Sequence, residues 1–177
     1  MRKISISAIA LAALLVAACS PTYNWRDYIS PDAPYRVMFP AKPATYTRPV
    51  ELDGMKVNMT MTAAEVDGTT FAVGSAEAPD AQHAQAALAA MKTALVRNIG
   101  GAITRETATA AASSSSAAGT STALTIEATG THNGMPMRLV GHFEARGKRF
   151  YQVIVMGKAK SVAPEQVEQF LTSFKPQ

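Results

Sequence analysis

The chain has 177 residues with Lys+Arg 17 against Asp+Glu 13, a net charge of +4, and its length suits one domain better than two. Hydrophobic residues at 47% and charged residues at 17% exclude a largely disordered chain. Without Arg2 and Lys3, which fall in a leader-like start, the 17 basic residues become 15 against 13 acidic ones, and a balance of +2 leaves no nucleic-acid footprint.

Met1-Arg2-Lys3 is a short basic opening, and Ile4 to Ala18 is apolar except for Ser5 and Ser7 and ends in small residues, the pattern of an export signal. At about 15 residues the run is short for a spanning helix. It closes as Leu15-Val16-Ala17-Ala18-Cys19, and Cys19 is the sole cysteine of the chain. This stretch resembles the bacterial lipobox, in which small residues at the cut site precede a cysteine that is diacylated through its thiol. The resemblance implies a signal peptide over residues 1–18 and Cys19 as the lipidated first residue of the mature protein. Each buried methylene contributes about 0.8 kcal/mol, so two or more acyl chains hold stably where one holds marginally. Ser20 stands where lipoproteins retained at the inner membrane often carry Asp, so the resemblance further implies the periplasmic face of the outer membrane. With no second cysteine, no intramolecular disulfide can form.

Residues 19–33 read as a tether that partly docks, because Pro21, Pro31 and Asp32 are interspersed with Tyr23, Trp25 and Tyr28; Trp25 is expected to anchor by packing. The domain proper is expected over residues 34–177. Tyr35 to Phe39 alternates as a strand, and Pro40 and Pro43 break it. Asp53-Gly54, Asp67-Gly68 and Asn133-Gly134 each lie between strand-like runs, the signature of tight type I′ hairpins. From an Asp80 N-cap, Gln82 to Ile99 places Ala84, Leu88, Met91, Leu95 and Ile99 at helical spacing, and Gly100-Gly101 ends it. Thr107 to Ser121 is almost entirely Ala, Ser and Thr and reads as a loose surface loop. At the C-terminus Pro164 suits a first helical turn, with Val167, Phe170, Leu171 and Phe174 forming one stripe.

A two-residue turn at Asn133-Gly134 sets Leu124 opposite Phe143, Ile126 opposite Gly141 and Ala128 opposite Leu139, one apolar face, with Thr125, Glu127, Arg138 and His142 on the other. The same arithmetic at Asp53-Gly54 sets Val50 opposite Val57 and Tyr46 opposite Met61. Phe71 and Val73 then land on the opposite side of the sheet, which requires either a bulge or cover on both sides. The expected class is α+β, an antiparallel sheet of about six to eight strands flanked by two helices.

Three segments carry a family resemblance: Val37-Met38-Phe39-Pro40-Ala41-Lys42-Pro43, then Arg149 to Gly157, and the closing Phe170-Leu171-Thr172-Ser173-Phe174. Together they resemble small bacterial envelope proteins of the PsbP-like α/β/α sandwich type. Proteins similar in that fold include an extrinsic photosystem II subunit and a nuclear Ran-binding protein, so the resemblance implies a binding or assembly scaffold. It transfers no functional residue.

No His-Glu-x-x-His, Cys-x-x-Cys, Gly-x-Ser-x-Gly or Walker-type loop occurs, so the usual metal-hydrolase, redox, serine-hydrolase and nucleotide signatures are missing. His83, His132 and His142 are the only near-neutral bases. His83 is expected to be exposed in a first helical turn, and His142 to hydrogen-bond across the sheet beside Thr125 and Glu127. His132, Met135 and Met137 share one face of a hairpin end, with Met55, Met59 and Met61 on another strand; thioether sulfur suits Cu(I), although that face continues an apolar stripe and methionine commonly fills cores. Arg146-Gly147-Lys148-Arg149 with Lys158 and Lys160 reads either as a patch for anionic headgroups or as a solvated turn blunting an edge. The sequence is thus read as a non-enzymatic, cofactor-free envelope module with an unidentified protein partner. A small-ligand or Cu(I) carrier is the alternative, and a hydrolase is third.

Overall fold

The computed structural model describes residues 22–110 and 121–177. A short pair comes first, β1 (Arg26–Ile29) and β2 (Tyr35–Phe39). A meander of β3 (Ala44–Leu52), β4 (Met55–Val66) and β5 (Thr69–Glu77) leads to α1 (Ala81–Asn98). Then come β6 (Gly101–Ala110), β7 (Ser121–His132), β8 (Met135–Arg146) and β9 (Arg149–Lys158), and α2 (Pro164–Ser173) and β10 (Lys175–Pro176) close the chain. The seven long strands form one antiparallel sheet in the order β3-β4-β5-β9-β8-β7-β6. The fold is α+β, with the expected sheet and two helices.

The hairpins form where the turn chemistry demands them. Asp53 and Gly54 have φ 51° and 77°, Asp67 and Gly68 50° and 72°, Asn133 and Gly134 51° and 76°. Positive φ at both central residues is the type I′ condition, whose twist matches that of the flanking strands. Val50 lies opposite Val57, Tyr46 opposite Met61 and Leu124 opposite Phe143, the predicted registers. A fourth two-residue turn, Gly147-Lys148, joins β8 to β9 with Arg146 opposite Arg149. Only Gly147 has positive φ there, 54°, as in a type II′ turn.

The ladder between β4 and β5 runs without a register shift, so cover on both sides, not a bulge, explains the apolar residues on opposite faces. On one face Leu52, Met59, Ile126, Leu139, Phe143 and Ile154 lie beneath Ala84, Leu88 and Met91 of α1. On the other, Phe71, Val73, Val140, Tyr151 and Val153 lie beneath Phe170 of α2 and Tyr35, Val37 and Phe39 of β2. Asp80 caps α1 by accepting the His83 backbone N–H at 2.9 Å. At the other end β6 leaves α1 with Gly101 opposite Gly130. A Cβ at Gly130 would stand 2.2 Å from the Ile99 carbonyl oxygen, so that exit closes only over glycine.

The Tyr35–Phe39 strand forms over the expected residues and pairs with β1 and β10 in a separate three-stranded sheet, because its apolar side, Tyr35, Val37 and Phe39, is used to cover the second face. Two expectations are corrected. Thr107 to Ala110 and Ser121 are strand, not loop: Thr107 pairs with Thr125 and Ala108 with Leu124. Alternating β-branched threonines suit a half-exposed pleated surface despite the low-complexity composition. The remainder of that predicted loop, 111–120, lies outside the described residues. The basic turn between β8 and β9 caps two central strands and so blunts no edge. Lys158 and Lys160 sit at the opposite end of β9, roughly 30 Å away at strand rise, so they form no patch with it.

Tyr23 and Trp25 stack at 6.2 Å and both meet Phe71 edge-on, at 6.3 and 6.1 Å, so this stretch docks as an aromatic flap beside β1. Phe170 centres this layer, its ring 5.4 Å from both Phe39 and Phe71, and it is fully buried. Phe170→Ala is expected to cost about 3–5 kcal/mol, read as a lowered urea midpoint with an unchanged slope.

Candidate functional site

Side chains alternate along a strand, so His142, Glu144 and Arg146 project from one face of β8, the face that α2 covers in part. Thr125 of β7 lies directly opposite His142. Thr125 Oγ1 and His142 Nδ1 are 3.2 Å apart, and His142 Nε2 and Glu144 Oε2 are 3.3 Å apart. Arg146 Nε donates to the other Glu144 oxygen, and its Nη1 donates to the Pro176 carbonyl at 3.3 Å, fastening β10 to β8. Glu144 is buried, with 7% of its side chain exposed, against 24% for His142.

The end of α2 supplies the facing wall. Leu171, Thr172, Phe174 and Lys175 join Thr125, His142 and Glu144 around an open trough of about 410 Å³. The Phe174 ring lies 6.4 Å from the His142 ring. One row along, Glu127 of β7 is held by Arg138 at 3.3 Å and Arg105 at 3.5 Å. A larger hollow of about 520 Å³ between α1 and the start of β6 is lined by Lys92, Thr93, Val96, Arg97, Gly100, Gly101 and Ile103. Its lining contains no histidine or carboxylate, whereas the trough joins His142 to Glu144.

Burial pushes the Glu144 carboxyl up, but hydrogen bonds from His142 and Arg146, reinforced by their charges, outweigh it and hold the group below its ordinary range. Glu144 Oε2 and the Thr125 hydroxyl stand at the two nitrogens of the His142 ring, an order of hydroxyl, base and orienting acid. Acyl transfer also needs donors aimed at a developing oxyanion. Thr125 and His142 sit inside the β7–β8 ladder, where backbone N–H groups lie in the plane of the sheet and point at neighbouring strands. The strand backbone therefore supplies no such donor to the trough.

The other predicted positions fall elsewhere. His83 is exposed, its Nδ1 2.8 Å from Asp80 Oδ2. His132 and Met135 face each other across the exposed tip of the β7–β8 hairpin. Met137 is partly buried against the α1-side cluster, as are Met55 and Met61, and Met59 is fully within it. Among the described residues no three His, Cys, Asp or Glu side chains come together to hold a metal ion. Cys19 lies outside the described residues. Glu144, Thr172 and Lys175 were not singled out from sequence; Glu144 was open to discovery, since it stands two residues from His142 on one strand face, whereas the α2 wall carried no local signal. Compared with known protein families and with curated proteins, the chain matches none.

A carboxyl whose folded pKa is depressed contributes stability that is complete above its ordinary range, near 4.3, and is lost as pH falls through the lower folded value. Glu144→Gln is therefore expected to lose about 1.5–3 kcal/mol at neutral pH and to show a flatter decline in stability on acidification than the parent, measured by urea unfolding across a pH series.

Proposed function

We propose that this chain is a lipid-anchored recognition module of the bacterial cell envelope, held at the periplasmic face of the outer membrane through Cys19 and acting by noncovalent contact through a PsbP-like domain. The lipobox-like Leu15-Val16-Ala17-Ala18-Cys19 supports the anchor. The observation that carries the recognition reading is the trough beside α2. Its polar floor of Thr125, His142 and Glu144 meets an apolar wall of Leu171 and Phe174, the mixture of a few placed polar groups and apolar lining that binding sites use. The floor is rigid because each His142 nitrogen has a partner and Glu144 is held by Arg146, so little ordering entropy is lost on contact.

A benzophenone side chain in place of Thr172, exposed on the trough wall, is expected to give reproducible protein adducts on irradiation of intact cells. The same probe in place of Gln82, exposed on α1 across the sheet, is expected to give none of them; identical adducts from both positions, or none from Thr172, would reject the trough as the contact face. In the native host, radiolabelled palmitate is expected to enter the protein, and Cys19→Ala is expected to abolish labelling and move the protein from the membrane to the soluble fraction. Unlabelled parent protein would reject the anchor.

A further inference from the structure

The hydrogen-bond supply of the trough narrows what it can hold. The Thr125 hydroxyl shares one hydrogen bond with His142 Nδ1 at 3.2 Å, and the Thr172 hydroxyl donates its proton to the Glu168 carbonyl at 2.7 Å. A hydroxyl has one donor and two acceptor lone pairs, so Thr172 meets a ligand as an acceptor, and Thr125 keeps at least one lone pair for the same role whichever way its bond to His142 runs. Glu144 is consumed by His142 and Arg146. The remaining charge in the lining is Lys175, which is exposed and engaged by no salt bridge among the described residues. Its ammonium brings three donors and no acceptor. Leu171 and Phe174 provide apolar surface between these groups.

A ligand complementary to this lining carries N–H donors, an anionic group and an apolar side chain within one short length. We propose that the trough captures the free carboxyl terminus of an extended peptide whose last residue is apolar. Lys175 meets the terminal carboxylate, Thr125 and Thr172 accept peptide N–H groups, and Leu171 and Phe174 receive the side chain. A fatty acid shares the carboxylate and the apolar tail but leaves both threonine acceptors unanswered, and an amine or cationic peptide meets Lys175 with like charge. The volume, about 410 Å³, falls within the roughly 300–1,000 Å³ of small-ligand sites, enough for a chain end but not for a folded domain. The inference rests on the trough being the recognition face and names what that face reads.

The test uses the purified protein with three probes: acetyl-Gly-Ala-Leu with a free carboxyl terminus, the same peptide as its carboxamide, and hexanoate. The free acid is expected to bind and to shift the amide resonances of Thr125, His142 and Thr172, with the carboxamide about twofold to fivefold weaker, the scale of one exposed charge contact, and hexanoate, which lacks the peptide N–H groups, also weaker. Lys175→Gln is expected to reduce the free acid to the level of the carboxamide, and Lys175→Arg to restore most of the difference; this side chain is exposed, so neither change disturbs the core. Equal binding of acid and amide, no binding of either, or an unchanged affinity in Lys175→Gln would overturn the proposal, and hexanoate binding as tightly as the peptide would overturn the peptide assignment. Protein adducts from the Thr172 position alongside any of those results would leave the recognition face standing and remove only its specificity for chain ends.

Discussion

Water reaches neither face of the middle of β9. Every residue from Phe150 to Val155 is buried, with Phe150 and Ile154 directed to the α1 side and Tyr151, Val153 and Val155 to the other. Because side chains alternate strictly along a strand, this composition requires two covering layers, and the rest of the fold answers that requirement. One layer is α1, crossing between β5 and β6. The other is assembled from α2, β2 and the aromatic flap of Tyr23 and Trp25. The polar tip of Tyr151 shows the cost of the arrangement: burial pushes its hydroxyl up to about 12, and that hydroxyl donates to the Pro34 carbonyl at 3.4 Å, which ties the second layer to the strand beneath it.

The second layer is too narrow for the sheet. Seven strands at about 4.8 Å spacing span roughly 29 Å, whereas a helix is about 10 Å wide and the three-stranded sheet lies on the β4, β5 and β9 side. The α2-side face of β6 is left to solvent and that of β7 is only partly covered, and the sequence there is correspondingly polar, with Arg105 opposite Glu127 and Thr107 opposite Thr125. The trough lies at the boundary between covered and uncovered sheet. His142 and Glu144 stand at that boundary, close enough to α2 to be partly dried and close enough to the open face to be reached. Burial strengthens their mutual hydrogen bond while the opening keeps it available.

That placement explains why the polar groups of the site are held by one another and not by a loop. Arg146 links Glu144 to the carbonyl of Pro176, so one guanidinium ties the carboxylate of the floor to the strand that carries Lys175. On the proposed reading, a lipid at Cys19 keeps this face near a bilayer while binding is decided by a handful of side chains on rigid strands, the positions at which small displacements matter most.

Hairpins and helices were legible because their causes are local. Asn-Gly and Asp-Gly turns set register within a few residues, period-two and helical spacing assign faces, and Asp80 and Gly100 bound α1 at the expected places. Composition misled at Thr107 to Ala110, where small polar residues form strand because β7 pairs with them. The neighbour of β5 was beyond reach of any local pattern: Glu77 pairs with Arg149, a contact decided by which apolar faces must be covered together. The site follows the same division. His142 and Thr125 could be brought together by counting from a turn, but the wall that makes them a trough arrives from the far end of the chain, where Phe170 and Phe174 are drawn onto the sheet by burial, a force that depends on area and carries no address in the sequence.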